Sequence, residues 1–158
     1  MLSIETVNSP ERVEEARTLF RAYAEELDED LCFQGFQREL DTLPGAYAPP
    51  GGELLLARWA TTPAGCIALR KIDAASCEVK RLYVDPAYRG LGIGRVLTRI
   101  LMDRARARGY RVARLDTLER MEAARALYRS LGFVETEPYS DNPLPGVIYM
   151  ACPLGGEQ

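Results

Sequence analysis

Histidine is absent from the 158 residues of this chain, and its absence excludes several kinds of catalytic site. Ser-His-Asp triads, Cys-His dyads and histidine-ligated metal sites all require an imidazole. Proton transfer would have to use carboxylates, tyrosines, lysines, cysteines or water. The four cysteines contain no C-x-x-C pair, so a zinc ribbon or a thioredoxin-type redox site is not supported. We therefore expect no metal site, and thiols that are free and mostly buried.

Long apolar runs and an excess of basic residues are also missing. No stretch approaches the roughly 18 apolar residues that a membrane-spanning helix needs. Residues 1–5 have neither the basic nor the apolar region of a signal peptide. The formal net charge of −3 argues against a nucleic-acid-binding surface, which is normally basic. We expect one domain spanning residues 1–158, in the cytoplasm, with neither membrane nor nucleic acid as a partner.

The spacing of apolar residues and of glycine and proline predicts elements in the order β-α-α-β-β-β-α-β-α-β-β. Strands are predicted at about 2–7, 53–59, 66–72, 77–84, 111–116, 133–137 and 147–152. Four helices are predicted. The first begins at a Ser9-Pro10 cap, the second covers about 34–43, the third ends at Gly109 and the fourth ends at Gly132. This order predicts an α/β (α+β) fold with a mixed, mostly antiparallel sheet of about six or seven strands and helices on both faces.

The most informative segment joins the strand at 77–84 to the long helix that follows it. Its sequence is Arg89-Gly90-Leu91-Gly92-Ile93-Gly94-Arg95, which we call the glycine loop. Alternate glycines let the backbone approach a ligand closely. The first turn of a helix offers unpaired N–H donors and a partial positive charge, and the two arginines add to it. The glycine loop therefore predicts a phosphate cradle rather than a simple helix-capping turn.

Two common phosphate loops fit this segment poorly. A Walker loop ends in Gly-Lys-Ser/Thr, whereas Gly94 is followed by arginine and valine. A dinucleotide-binding loop needs G-x-G-x-x-G directly after the first strand of a βαβ unit. Here the third glycine comes one residue early and several strands precede the loop. Asp116, about 22 residues further on, is the one feature that favours a dinucleotide, and this alternative stays open as a minor one.

The glycine loop resembles the acetyl-coenzyme A motif of the GNAT acyltransferase superfamily, whose pattern is Gln/Arg-x-x-Gly-x-Gly/Ala. Arg89, Gly92 and Gly94 fill its fixed positions. A later segment, Ala124-x-x-Leu127-Tyr128-x-x-x-Gly132-Phe133, resembles the second cofactor segment of the family. The order of predicted elements fits the family from residue 2 to about 153. The resemblance implies a GNAT-like fold and an N-acetyltransferase that uses acetyl-coenzyme A.

The resemblance also implies where the cosubstrate binds. The diphosphate would lie on the N–H groups of residues 90–95. The pantetheine arm would pair, like an added strand, with Leu82, Tyr83 and Val84. The thioester would lie between that strand and the strand at 111–116. One departure is the absence of asparagine from residues 118–122, where many members carry one at the start of the second helix.

Two residues are candidates for proton transfer. An attacking alkyl amine, with a pKa of about 10.4, must lose a proton before it has a free lone pair. Glu78 stands where several members that act on lysine place their general base. Regular alternation would put it on the same strand face as Leu82 and Val84, although a strand glutamate that faces water or pairs with Lys80 is equally compatible. Tyr128 stands at the family's usual general-acid position, and core packing is the alternative for it.

The acceptor site is less well defined by the sequence. The resemblance points to the first two helices and to the turn-rich segment 138–146. The candidates for binding the amine acceptor are Tyr23, Phe33, Tyr139 and Asn142, with Phe36, Tyr47 and Asp141 as further possibilities. The acceptor is either a small molecule or a peptide. A catalytically silent acyl-coenzyme A sensor on the same fold is the alternative function, and both a monomer and a homodimer stay open.

Overall fold

The computed structural model describes residues 1–155, apart from the side chain of Phe33. The strands are β1 (Leu2–Thr6), β2 (Glu53–Trp59), β3 (Thr62–Lys71), β4 (Ser76–Val84), β5 (Val112–Leu118), β6 (Val134–Glu135) and β7 (Val147–Pro153). The α-helices are α1 (Pro10–Leu27), α2 (Phe36–Thr42), α3 (Ile93–Ala107) and α4 (Glu122–Ser130). Short 3₁₀ turns cover Cys32–Gln34, Gly45–Tyr47 and Pro86–Tyr88. The predicted order of elements is confirmed.

All seven strands form one sheet in the order β1-β2-β3-β4-β5-β7-β6. Every neighbouring pair is antiparallel except β4 and β5, which are parallel. Helices α1 and α2 pack on one face, and α3 and α4 pack on the other. The predicted mixed, mostly antiparallel sheet with helices on both faces is therefore confirmed.

The central strands are buried on both faces because each side of the sheet carries a core. In β2, Leu55 and Ala57 face the core beneath α3, whereas Leu54 and Leu56 face the core beneath α1. All four are at most 2% exposed. Such strands are expected to be continuous apolar runs, and the sequence Leu-Leu-Leu-Ala at 54–57 is one.

Strand β4 contains a bulge at Arg81. Lys80 lies opposite Ala68 of β3, but Tyr83 lies opposite Cys66, so β4 has one residue more than its partner over this stretch. Arg81 has a φ of +63°, in the left-handed region that a long side chain seldom adopts. An extra residue of this kind bends the strand and increases its local twist.

The bulge also shifts the alternation of β4 side chains between the two faces of the sheet by one residue. Cys77 and Val79 face the α3 core before it, and Leu82 and Val84 face that same core after it. The prediction that Glu78 shares a face with Leu82 and Val84 is therefore wrong. Regular alternation is interrupted at the bulge, and Glu78 lies on the α1/α2 face instead.

Strands β4 and β5 diverge soon after they meet. Their parallel ladder joins Ser76–Glu78 to residues 112–114 and then stops, although both strands continue. Over residues 79–84 the β5-facing edge of β4 has no partner strand among the described residues. A wedge-shaped opening therefore lies inside the sheet and not at its rim.

Residues 1–155 contain neither a membrane-crossing helix nor a group of metal ligands. No helix in that range is long and apolar enough to cross a membrane. No group of three or more cysteine, aspartate or glutamate side chains gathers there as metal ligands. The four cysteines are unpaired, and all but Cys32 are buried, as the sequence predicted.

Candidate active site

The glycine loop forms the N-terminus of α3. Gly92 is the N-cap residue, with a φ of +81°, and no side chain caps the helix. Within residues 1–155, no hydrogen bond uses the backbone N–H groups of residues 90–95. A helix of 15 residues thus presents a run of free donors at its positive end. This arrangement is suited to an anion such as a phosphate.

The surroundings of the glycine loop show why glycine is favoured at two of its positions. A Cβ atom at Gly92 would meet nothing within 4 Å, so the loop faces open space and its positive φ is what favours glycine. At Gly94 a Cβ would lie 3.4 Å from Leu127 Cδ2, so glycine lets α4 approach α3 closely. Ile93 is 1% exposed, which leaves only its backbone for a ligand. Leu91 and Arg95 are exposed.

Arg89 links the loop to α1 and β4. Its Nε donates to Val84 O at 2.8 Å, and its Nη2 contacts Glu26 Oε2 at 2.6 Å. The guanidinium also lies 5.7 Å from the centroid of the Tyr83 ring. The Arg89 side chain is therefore held over the mouth of the wedge, where its charge is partly neutralised by Glu26.

Three neighbouring spaces, which share lining residues, extend from the glycine loop along the wedge. The first, which we call the entry groove, has a volume of about 550 Å³ and is lined by Leu82, Tyr83, Val84, Arg89 and Gly94 together with residues of α1 and α4. The central cavity, of about 50 Å³, shares Tyr23, Leu27, Leu82, Met121 and Ala124 with the entry groove. The distal cavity, of about 470 Å³, shares Gln34, Lys80 and Asp116 with the central cavity.

Tyr128 lines the central cavity together with Leu82. It is 7% exposed and packs against Phe133, with 5.6 Å between ring centroids. No hydrogen bond to its hydroxyl occurs among the described residues. Burial raises the pKa of the Tyr128 phenol, so the group is protonated at neutral pH. Tyr128 is thus both a packing residue and an available proton donor.

Glu78 lies in the wall of the distal cavity, where it is 2% exposed. Arg70, directly opposite on β3, holds one carboxylate oxygen at 2.6 Å through Nε. The Tyr139 hydroxyl donates to the other oxygen at 2.6 Å. Burial and the nearby Glu78 charge raise the pKa of Tyr139. Glu78 therefore pairs with Arg70, and Lys80 instead donates to Gln34 Oε1 at 3.0 Å.

The predicted acceptor residues are dispersed over the two inner cavities. Tyr23 and Asn142 line the central cavity, and Tyr139 contacts Glu78. Asp141 and the mostly buried Tyr47 line the distal cavity. Phe36 packs against the guanidinium of Arg81, with 5.1 Å to the ring centroid. The side chain of Phe33 lies outside the described part of the chain.

The sequence profile of the Acetyltransferase (GNAT) family matches residues 13–133. The chain is a member of the GNAT family. The resemblance stated from the glycine loop and from the segment around Tyr128 is thereby confirmed.

Relatives of this GNAT protein match it over most of its length. An uncharacterised N-acetyltransferase of Schizosaccharomyces pombe is 39% identical over 151 residues, covering 94% of this chain and 93% of the relative. A GNAT acetyltransferase from Staphylococcus aureus has a TM-score of 0.82 at 21% identity, covering 98% and 99% of the two chains. The PaiA N-acetyltransferase of Thermoplasma acidophilum, solved with coenzyme A, has a TM-score of 0.75 at 20% identity, covering 97% and 99%.

The place of several charged residues in this GNAT site was not predicted from the sequence. Arg81 binds Glu39 through two nitrogens, at 2.8 and 2.9 Å, on the wall between α2 and β4. Its position depends on a bulge that has no local sequence signal. Lys80 and Asp116 line the same two cavities because β4 and β5 diverge. Arg70 was the one detectable case, because the turn before β4 fixes the register that sets it opposite Glu78.

Proposed function

We propose that this GNAT protein transfers the acetyl group of acetyl-coenzyme A to a primary amine by direct attack in a ternary complex. The observation that carries the proposal is the opening between β4 and β5. It lies between the free N–H groups of the glycine loop and an open cavity, lined by charged side chains, on the α1/α2 face of the sheet. Such a passage suits two substrates that enter from opposite sides and meet in the middle.

The residues present fit the cosubstrate. The free N–H donors of residues 90–95 match the oxygens of a diphosphate. The unpaired edge of β4 at residues 79–84 offers backbone partners for the amides of a pantetheine arm, as an added strand would use them. Leu82 and Ala124 line both the entry groove and the central cavity, which suits the aliphatic end of that arm. The complex of PaiA with coenzyme A supports this assignment through the shared fold.

The proposed reaction needs two proton transfers. As the amine nitrogen bonds to the acetyl carbon, the bond from that carbon to sulfur breaks and the amine loses a proton. The departing thiolate would take the proton of the Tyr128 hydroxyl, which faces the central cavity and is available as a donor. Tyr128 would regain its proton from solvent.

Glu78 would accept the amine proton through water. Its carboxylate lies in the distal cavity, on the face of β4 opposite to Leu82, so direct contact with a thioester beside Leu82 is not expected. The distal and central cavities meet at Gln34, Lys80 and Asp116, and a water in that junction would extend the reach of the carboxylate.

The proposal is tested by calorimetry with acetyl-coenzyme A, followed by a thiol-release assay over amino acids, polyamines, aminoglycosides and lysine peptides. We expect saturable binding and thiol release that depends on at least one amine. NAD serves as a competitor and is expected not to displace acetyl-coenzyme A. Binding without thiol release over the whole panel would contradict the enzymatic proposal and leave a binding module.

A further inference from the structure

The distal cavity is lined by charged side chains of both signs, and three of them, Glu39, Arg70 and Glu78, already have ion-pair partners. Glu78 is held by Arg70 at 2.6 Å and by the Tyr139 hydroxyl at 2.6 Å. The Arg81 guanidinium is neutralised by Glu39, at 2.8 and 2.9 Å. These pairs form a fixed polar wall. They leave little capacity for a ligand's own charges.

Four charged residues of this lining form no ion pair within residues 1–155, namely Arg38, Lys80, Asp116 and Asp141, and of these Lys80 and Asp116 also line the central cavity. Lys80 is the cation at that junction. Its ammonium can donate three hydrogen bonds. Within residues 1–155 it has one polar partner, the neutral Oε1 of Gln34 at 3.0 Å. Burial and the neighbouring Arg81 charge lower the Lys80 pKa by more than the charges of Glu78 and Asp116 raise it, so the ammonium is only partly compensated and would be stabilised by a further anion. Lys80 is also one of only two lysines in the chain, the other being the exposed Lys71.

Asp116 is the anion at the same junction and lines the same two cavities. Its carboxylate accepts one hydrogen bond, from Asn142 Nδ2 at 3.0 Å. No arginine or lysine of residues 1–155 forms an ion pair with it, and it does not pair with Lys80. A carboxylate has about four lone-pair sites, so most of its capacity is unused. Lys80 and Asp116 therefore lie near each other without forming an ion pair, and each keeps hydrogen-bonding capacity for a ligand.

We infer that the amine acceptor is a small amino-carboxylate, such as a free amino acid, with its ammonium against Asp116 and its carboxylate against Lys80. This inference rests on the proposed function and specifies its acceptor. One molecule with both charges compensates both groups, and both groups lie at the junction with the central cavity. A cavity of about 470 Å³ has room for a small molecule of this kind.

The first test compares matched acceptors in the thiol-release assay. Each amino acid is paired with its carboxamide, which keeps the amine and the side chain but lacks the anion. We expect kcat/KM to fall by about 10–100-fold from the acid to the amide, as for loss of a charged hydrogen bond. The amide has more free amine at neutral pH, so intrinsic reactivity works against this result. Equal or better turnover of amides, polyamines or capped peptides would overturn the inference and leave acetyl transfer intact.

The second test uses substitutions at the two lysines. Lys80→Met should raise the KM for the best amino acid by about 10–100-fold and change that for its amide by less than about threefold. Lys80→Arg keeps the charge and should retain part of the preference for the acid. Lys71→Met is the matched control and should change neither KM.

Three readouts separate the possible failures. Acetyl-coenzyme A binding by calorimetry reports whether each variant is folded. An unchanged preference for the acid in a folded Lys80→Met variant would overturn the role of Lys80. If wild-type protein acetylates no amine at all, the proposed function fails, and the inference about its acceptor fails with it.

Discussion

Replacing Tyr128 by phenylalanine separates packing from proton donation at one residue. The ring stays in contact with Phe133, and only the hydroxyl is lost. That hydroxyl has no hydrogen-bond partner among residues 1–155, so no bond in the folded protein is broken. We expect the free energy of unfolding to change by less than about 0.5 kcal/mol, which is the range of substitutions that remove no specific interaction.

The effect on turnover should be much larger. The Tyr128 hydroxyl is the donor that we place beside the leaving thiolate, and general acid catalysis contributes about 10²–10⁴-fold to a rate. Single-turnover thiol release, with enzyme in excess over acetyl-coenzyme A, isolates the chemical step from product release. Affinity for acetyl-coenzyme A should stay within about threefold of wild type, because we expect the hydroxyl to act on the departing thiolate and not on the bound cosubstrate before reaction.

Tyr110→Phe provides the opposite control. Tyr110 is also buried, but its hydroxyl donates to Gly51 O at 2.6 Å, away from the three cavities. Losing this bond should cost about 1–2 kcal/mol, and each 1 kcal/mol lowers the Tm of a chain of this size by about 2–4 °C. Turnover should be unchanged. Proton donation by Tyr128 would be refuted by a Tyr128→Phe variant that keeps turnover within about threefold of wild type. It would also be refuted if the variant loses activity only in proportion to a loss of stability.

Three further substitutions test other parts of the site. Gly92→Glu puts a bulky anion at the left-handed N-cap, which faces open space, and should abolish acetyl-coenzyme A binding as measured by calorimetry. An unchanged Kd in the folded variant would contradict the phosphate-binding role of the loop. Glu78→Gln should lower kcat/KM at neutral pH and lose less at high pH, where the amine is already deprotonated; a loss that is flat across pH would indicate positioning instead. Arg81→Met breaks a buried ion pair with Glu39 and should lower the free energy of unfolding, measured in urea, by about 3–5 kcal/mol. A decrease below about 1 kcal/mol would mean that solvent compensates the charge of Glu39.

Much of the fold could be predicted because its signals are local. Ser9 caps α1 as expected, with its hydroxyl accepting from Arg12 N at 3.3 Å. The apolar stripe of α3, with Leu97 and Leu101 fully buried, follows from spacing alone. The glycine loop was also recognisable, because its glycines and arginines are contiguous and their chemistry is the same in any sequence context.

The inner site could not be predicted because its signals are not local. The bulge at Arg81 depends on how β3 and β4 pair, and period-two alternation takes no account of an inserted residue. That one residue moves Leu82 to the opposite face from Glu78. The proximity of Lys80 and Asp116 depends in turn on where β4 and β5 separate, which is a property of the whole sheet.

The opening between β4 and β5 also connects folding to ligand supply. Residues 79–84 of β4 have backbone groups that no strand satisfies on one side, so a bound pantetheine arm would complete the sheet as well as supply the acetyl group. A ligand at about 100 times its Kd stabilises the folded state by about 2.7 kcal/mol. The amide protons along this inner edge should then exchange more slowly in the complex. The lifetime of this chain against unfolding and proteolysis would rise and fall with the concentration of its own cosubstrate.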